Sequence, residues 1–135
     1  MRDTDNSQDL IDIRDLIERF ETLEKDRDEA EAEAMEGHAA WNFGQDERDE
    51  IAAIGDLLES FKGMGGDHQW RGDWYPVTLI RDSYFVEAME EQVKDCGYIP
   101  ADQPWWLVID WDATAENMKA DYTSAEYDGV TYWAR

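Results

Sequence analysis

The chain has 135 residues and a mass of 15.7 kDa, with 34 acidic against 12 basic side chains and a net charge of −22 at pH 7. That balance excludes direct binding to nucleic acid, which needs Lys and Arg to displace counterions from phosphates, and directs attention to a partner with a basic surface. Hydrophobic residues at 42% and seven tryptophans exclude wholesale disorder, and the length suits one domain of ordinary size or a small domain with a helical extension.

Leu10, Ile13, Ile17 and Phe20 fall at spacings of three and four, and Leu16 and Leu23 widen the stripe, so the pattern predicts an amphipathic helix from about Ser7 onward. Helix formers continue to Gly37, but beyond Glu24 only alanines and Met35 are available to bury. The acidic residues of that half must face water or a partner. A turn region over residues 37–45 contains Trp41, Phe43 and Gly44. Asp46, Asp49 and Glu50 then suit the positive end of a second helix, whose apolar face is Ile51, Ile54, Leu57, Leu58 and Phe61. Gly55 inside it costs about 1 kcal/mol relative to alanine and marks close packing against the first helix. The two read as an antiparallel hairpin, followed by a hinge at Gly63, Gly65 and Gly66.

Trp74 to Ile80 is aromatic and β-branched, as a half-buried strand requires, with Pro76 near its start. Asp82 or Ser83 can cap a following helix, which carries Phe85, Ala88, Met89, Val93 and Cys96 on one side and Glu87, Glu90, Glu91 and Lys94 on the other. Gly97 ends it as a left-handed cap. After Pro100 and Pro104, the run Trp105 to Ile109 is too short to classify by period. Asp110 suits the cap of a last helix with Trp111, Ala115, Met118 and Tyr122 on one side, and Asp128-Gly129 between two β-rich runs predicts a hairpin. The expected fold is α+β. It comprises an acidic helical region over residues 1–62 and a small domain over residues 67–135, with a three-stranded antiparallel sheet and two packed helices.

Catalytic chemistry finds little to work with. His38 and His68 are thirty residues apart with no cysteine beside them, short of a zinc ligand set. Asp110 and Asp112 could pair on a metal, but helix capping explains Asp110 more simply. The GMGG stretch lacks the Lys and Ser/Thr of a phosphate loop. Cys96 reads as a small buried hydrophobe rather than a nucleophile. The aromatics could stack bases only with a basic groove, so most are expected in the core and the rest at the dimer or target contact. No enzyme, cofactor or metal is expected. The single cysteine suits a reducing compartment, and neither a signal segment nor a membrane-length apolar run is visible, so a cytoplasmic protein is expected.

Four pieces of the second half carry a resemblance to a known family: LIRDSYF (residues 79–85), IDW followed by ATA (109–115), DYTS (121–124) and DGVTYW (128–133). Over Asp67 to Arg135 the chain resembles the C-terminal domain of the ArdA-type antirestriction proteins. The resemblance implies an elongated acidic homodimer whose C-terminal domain contributes the dimer contact, and the expected protein is an inhibitor encoded by a phage or mobile element. Such a protein imitates bent duplex DNA and occupies the DNA groove of a type I restriction-modification enzyme. The alternative is an anti-CRISPR or other regulator that presents the same acidic surface to a different nucleic-acid-binding protein.

Charge spacing tests whether mimicry is affordable. Residues 18–36 carry nine acidic and three basic side chains over about 28 Å of helix, roughly one net charge per 5 Å against one per about 1.7 Å in duplex DNA. One helix is too sparse. The whole chain does better, with a net −13 over residues 1–66 and −9 over residues 67–135. The carboxylates expected at the contact are Glu21, Glu24, Asp28, Glu31 and Glu33 on the first helix, then Glu87, Glu90 and Glu91.

Overall fold

Asp128 and Gly129 both take positive φ, 51° and 83°, which is the backbone a two-residue hairpin turn demands. In the computed structural model, which describes residues 5–35, 44–100 and 102–135, this turn joins β5 (Thr123–Tyr127) to β6 (Val130–Ala134), with Tyr127 opposite Val130. The other side of β6 pairs with β4 (Thr78–Arg81), where Ile80 faces Trp133. Beyond it, β1 (Leu10–Asp12) completes an antiparallel sheet in the order β1-β4-β6-β5.

The α+β class is therefore as expected, but the sheet has four strands rather than three, and the extra one comes from the N-terminal region. Residues 10–13 satisfy both periods, and pairing with Thr78 to Ile80 decides the matter in favour of strand. The helix α1 (Ile13–Met35) consequently starts at Ile13 and not near Ser7. Asp12 marks the switch, since its carboxylate accepts the Arg14 amide at 2.9 Å.

Pro76, which has no amide hydrogen to give a ladder, divides the predicted Trp74 to Ile80 strand. β3 (Asp73–Tyr75) ends before it and pairs with β2 (His68–Trp70) in a separate hairpin, while β4 begins after it. Arg71 and Gly72 form the hairpin tip, both at positive φ.

Alternation along the strands gives the sheet two apolar faces. Ile11, Leu79, Tyr127, Tyr132 and Ala134 pack with Leu16, Ile17 and Leu23 of α1 and with Ile54, Leu57, Leu58 and Phe61 of α2 (Gln45–Phe61). Ile80 and Trp133 point the other way, toward Phe85 and Met89 of α3 (Phe85–Asp95) and Ala115 of α4 (Trp111–Met118). The sheet thus lies between two helix layers, and its first core draws on both predicted regions. Among the described residues, no helix is long and apolar enough to cross a membrane.

Local expectations fare unevenly. Gly55 lies against Phe20, where an added Cβ would sit 3.3 Å from the ring, so the close approach of the helices is real. Gly97 takes φ 74° as a left-handed terminus, and Asp110 caps α4 by accepting the Ala113 amide at 3.0 Å. Asp82 does not cap α3; residues 82–84 form a 3-10 turn, and the Asp82 carboxylate accepts the Trp133 indole N–H at 2.9 Å. Cys96 is exposed rather than buried, because α3 ends at Asp95 and leaves it beyond the packed face. Of the hinge glycines, Gly63 is tied down, its amide donating to the Trp74 carbonyl at 2.7 Å. The predicted turn around Trp41 and Phe43, with Gly37 and His38, lies outside the described residues.

The segment before β1 is fixed across the sheet. Its Asn6 carbonyl accepts from Arg81 Nε at 2.9 Å, and its Gln8 carbonyl accepts from the fully buried Tyr132 hydroxyl at 2.6 Å. Burial pushes the Tyr132 phenol up to about 12. Because that lies above the ordinary unfolded value near 10, the stabilisation is complete below about pH 10 and lost as pH rises toward 12. Tyr132→Phe should therefore cost about 1–2 kcal/mol at pH 8, and its deficit relative to the native chain should shrink in urea titrations between pH 10 and 11.5. A deficit that stays constant across that range would count against the buried phenol as its origin.

Candidate functional site: an acidic groove between two helices

Helices α1 and α2 run antiparallel, since Glu47 at the start of α2 faces Leu23 to Glu33, while Gly55, further along α2, meets Phe20, earlier on α1. Their facing sides are apolar at the bottom and acidic at the rim. One hollow of about 500 Å³ is lined by Asp5, Asp46, Glu47, Asp49, Glu50 and Asp128, with Arg19, Asn6, Ala53 and Tyr127. A second of about 310 Å³ adjoins it, lined by Asp26, Glu29 and Glu33 of α1 with Leu23, Ala30 and again Arg19 and Glu47. Together the two are lined by nine carboxylates and one guanidinium.

Local sequence explains why these groups can gather. Asp46 and Glu47 occupy the first turn of α2, where free amides and the helix dipole favour negative charge. Glu47 Oε2 also accepts the Gly44 amide at 3.1 Å. On α1, Asp26, Glu29 and Glu33 share one side at spacings of three and four. Arg19 crosses between the helices and donates from Nε and Nη2 to the two oxygens of Glu50 at 2.7 and 2.8 Å. This two-pronged bond raises the Arg19 pKa further, and the Glu50 side chain is only 9% exposed.

The predicted contact residues do not form one patch. Glu21, Asp28 and Glu31 are exposed on α1, and Glu33 lines the second hollow. Glu24 is instead engaged by Arg71 of the β2–β3 hairpin at 2.5 Å, a guanidinium that also stacks on the Trp70 ring at 4.2 Å. Glu87 and Glu91 are exposed on α3, across the sheet from α1, and Glu90 pairs with Lys94 at 2.6 Å. The groove residues of α2 and Asp128 were not singled out from sequence. Their signal was present in the run Gln45 to Glu50, but only the packing of α2 on α1 brings it opposite Asp26, Glu29 and Glu33.

Carboxylates accept hydrogen bonds and donate none. An array of them binds cationic donors, as a phosphate backbone does, and repels phosphate itself. Among the described residues, no group of three or more His, Cys, Asp or Glu side chains is arranged to hold a metal ion. Asp12 lies below the usual carboxylate range because Arg14 donates to it, and it sits at the β1–α1 junction, outside the groove. The aromatics divide. Tyr75 and Tyr132 are buried, Trp70, Trp111 and Trp133 are half-buried, and Trp105 and Trp106 are exposed. Comparison with protein-family models, curated proteins and solved structures found no match for the chain.

Two outcomes follow from this electrostatic arrangement. Arg19→Ala removes a two-pronged bond to a carboxylate that is only 9% exposed and should cost about 2–4 kcal/mol in urea unfolding; a loss below about 0.5 kcal/mol would mean the pair does not tie the helices. Raising NaCl from about 0.01 to 0.5 M shortens the Debye length from about 30 to about 4 Å and should raise the melting temperature by screening carboxylate repulsion. A melting temperature that falls with salt would contradict that account.

Proposed function

We propose that this protein is an acidic DNA mimic that occupies the DNA-binding channel of a type I restriction-modification enzyme, as an anti-defence inhibitor encoded by a phage or mobile element. Its mechanism is occupancy, and no bond is made or broken. The observation that carries the reading is the concentration of nine carboxylates against one cation along the α1–α2 groove, within a chain whose excess acids outnumber anything its own basic residues can neutralise. The resemblance over residues 67–135 supplies the target.

Magnitudes support the reading. A net charge of −22 equals that of about 37 Å of duplex, taking one charge per 1.7 Å. The α1 helix alone, with 23 residues, is about 34 Å long. One chain can therefore present about the charge of eleven base pairs over a comparable length, and the homodimer that the resemblance implies would carry −44. Long-range attraction of this kind raises association rates more than it fixes a pose, so individual carboxylates matter little.

The test is displacement of a fluorescent operator-length duplex from a type I methyltransferase complex across a salt series. The native chain should displace DNA at 0.1 M NaCl and lose at least tenfold in affinity by 0.4 M. Single changes such as Glu21→Gln, Asp28→Asn or Glu31→Gln should cost less than about threefold, and the combination of Glu21, Asp28, Glu29, Glu31, Glu33 and Asp46 as amides more than tenfold. Failure to displace DNA at 0.05 M NaCl would end the proposal for this enzyme, and displacement from a Cas effector alone would transfer it to the alternative target class.

A further inference from the structure

The connection between α3 and α4 departs from the rest of the surface. It holds Trp105 at 92%, Val108 at 86%, Tyr98 at 78% and Trp106 at 65% exposure. At about 200 Å² per large aromatic side chain, Trp105 and Trp106 alone present roughly 310 Å² of surface, more than a third of one side of a standard interface of about 800 Å² per partner. That is the size of the largest apolar patch on a typical monomer, and such patches often mark binding sites.

The two tryptophans are also held in place. The Leu107 amide donates to the Pro104 carbonyl at 3.0 Å, which closes a four-residue turn with Trp105 and Trp106 at its two central positions. Gln103 Nε2 donates to the Leu107 carbonyl at 2.7 Å and braces the same turn. Both rings are therefore presented from a fixed backbone, which lowers the entropy that binding must overcome.

Charge decides what could cover them. Residues 85–121 carry nine acidic and two basic side chains, a net −7, and both lysines are already paired, Lys94 with Glu90 and Lys119 with Asp82 and Glu116. Asp95, Asp102, Asp110 and Asp112 are exposed in the connection or at its two ends. A second copy docking here would bring an acidic rim against an acidic rim. A protein with an apolar pocket bordered by Lys and Arg would match both the centre and the rim. We propose that the Trp105–Trp106 turn is an aromatic anchor that seats in such a pocket on the same basic DNA-binding partner, an inference that rests on the function proposed above. The carboxylates then govern how fast the partner is met, and the anchor governs how slowly it is released.

The experiment is surface plasmon resonance of the full chain on an immobilised type I methyltransferase complex, with analytical ultracentrifugation of the free chain. Trp105→Ala/Trp106→Ala should fold normally by circular dichroism, keep the native association rate and salt slope, and dissociate on the order of 10- to 100-fold faster. Asp95→Asn/Asp102→Asn/Asp112→Asn should do the reverse, slowing association with little effect on dissociation. A double tryptophan variant that dissociates at the native rate overturns the anchor while leaving the mimicry intact. Conversion of a native dimer to a monomer by the same variant overturns it in favour of a second copy. Absence of native binding removes the proposed function, and the anchor with it.

Discussion

Repulsion between the carboxylates of α1 and α2 is the constraint that the rest of the structure has to accommodate. Exposed like charges are screened by water and salt, but the groove gathers nine carboxylates against one guanidinium. Three features make this tolerable. Arg19 sits at the junction of the two hollows and binds both oxygens of Glu50. Asp46 and Glu47 lie where the α2 terminus favours anions. Below them, Leu16, Ile17, Leu23, Ile54, Leu57 and Leu58 bury an apolar seam that the charges cannot reach. The seam and the Arg19–Glu50 bond together hold the helices against that repulsion.

The N-terminal segment solves a related problem at the sheet. A three-stranded sheet would leave β4 as an exposed edge beside acidic helices; β1 covers it, and the bonds from Arg81 and Tyr132 to the carbonyls of Asn6 and Gln8 fix that strand in register. The strand also brings α1 onto the face opposite α3, so that acidic helices cover both sides of the sheet. Charge is in this way spread around the molecule instead of being confined to one side.

Much of this could be read from the residues. Helix periodicity placed the apolar stripes of α1 and α2, because a 3.6-residue repeat survives in a long amphipathic segment. The Asp-Gly turn, the Asp110 cap and the Gly97 terminus were legible because each depends on a few neighbouring residues. What was not legible depends on distant pairing. Leu10 to Asp12 fits a helix as well as a strand until Thr78 to Ile80 is beside it, and Pro76 only divides a strand once its two halves have different partners. Cys96 kept the helical spacing of Met89 and Val93 but fell one residue beyond the last turn. The contact residues show the same limit, since Glu24 and Glu90 look identical to Glu21 and Glu87 in sequence, and only the fold sets Arg71 and Lys94 beside the first two.

A field and a site make different demands on a protein, and this chain meets the first more fully than the second. Site chemistry requires a few groups held within fractions of an ångström by neighbours that exclude water. Here the acidic groups are numerous and mostly exposed, while the groups held firmly, such as Arg19 with Glu50 and Tyr132 with Gln8, serve the architecture. A surface built on those terms gains speed and reach but little selectivity, because any basic cleft attracts it. Selectivity has to come from a contact that charge does not govern. On the proposed function, that contact is the turn at Trp105 and Trp106, where two exposed rings are held by one hydrogen-bonded turn.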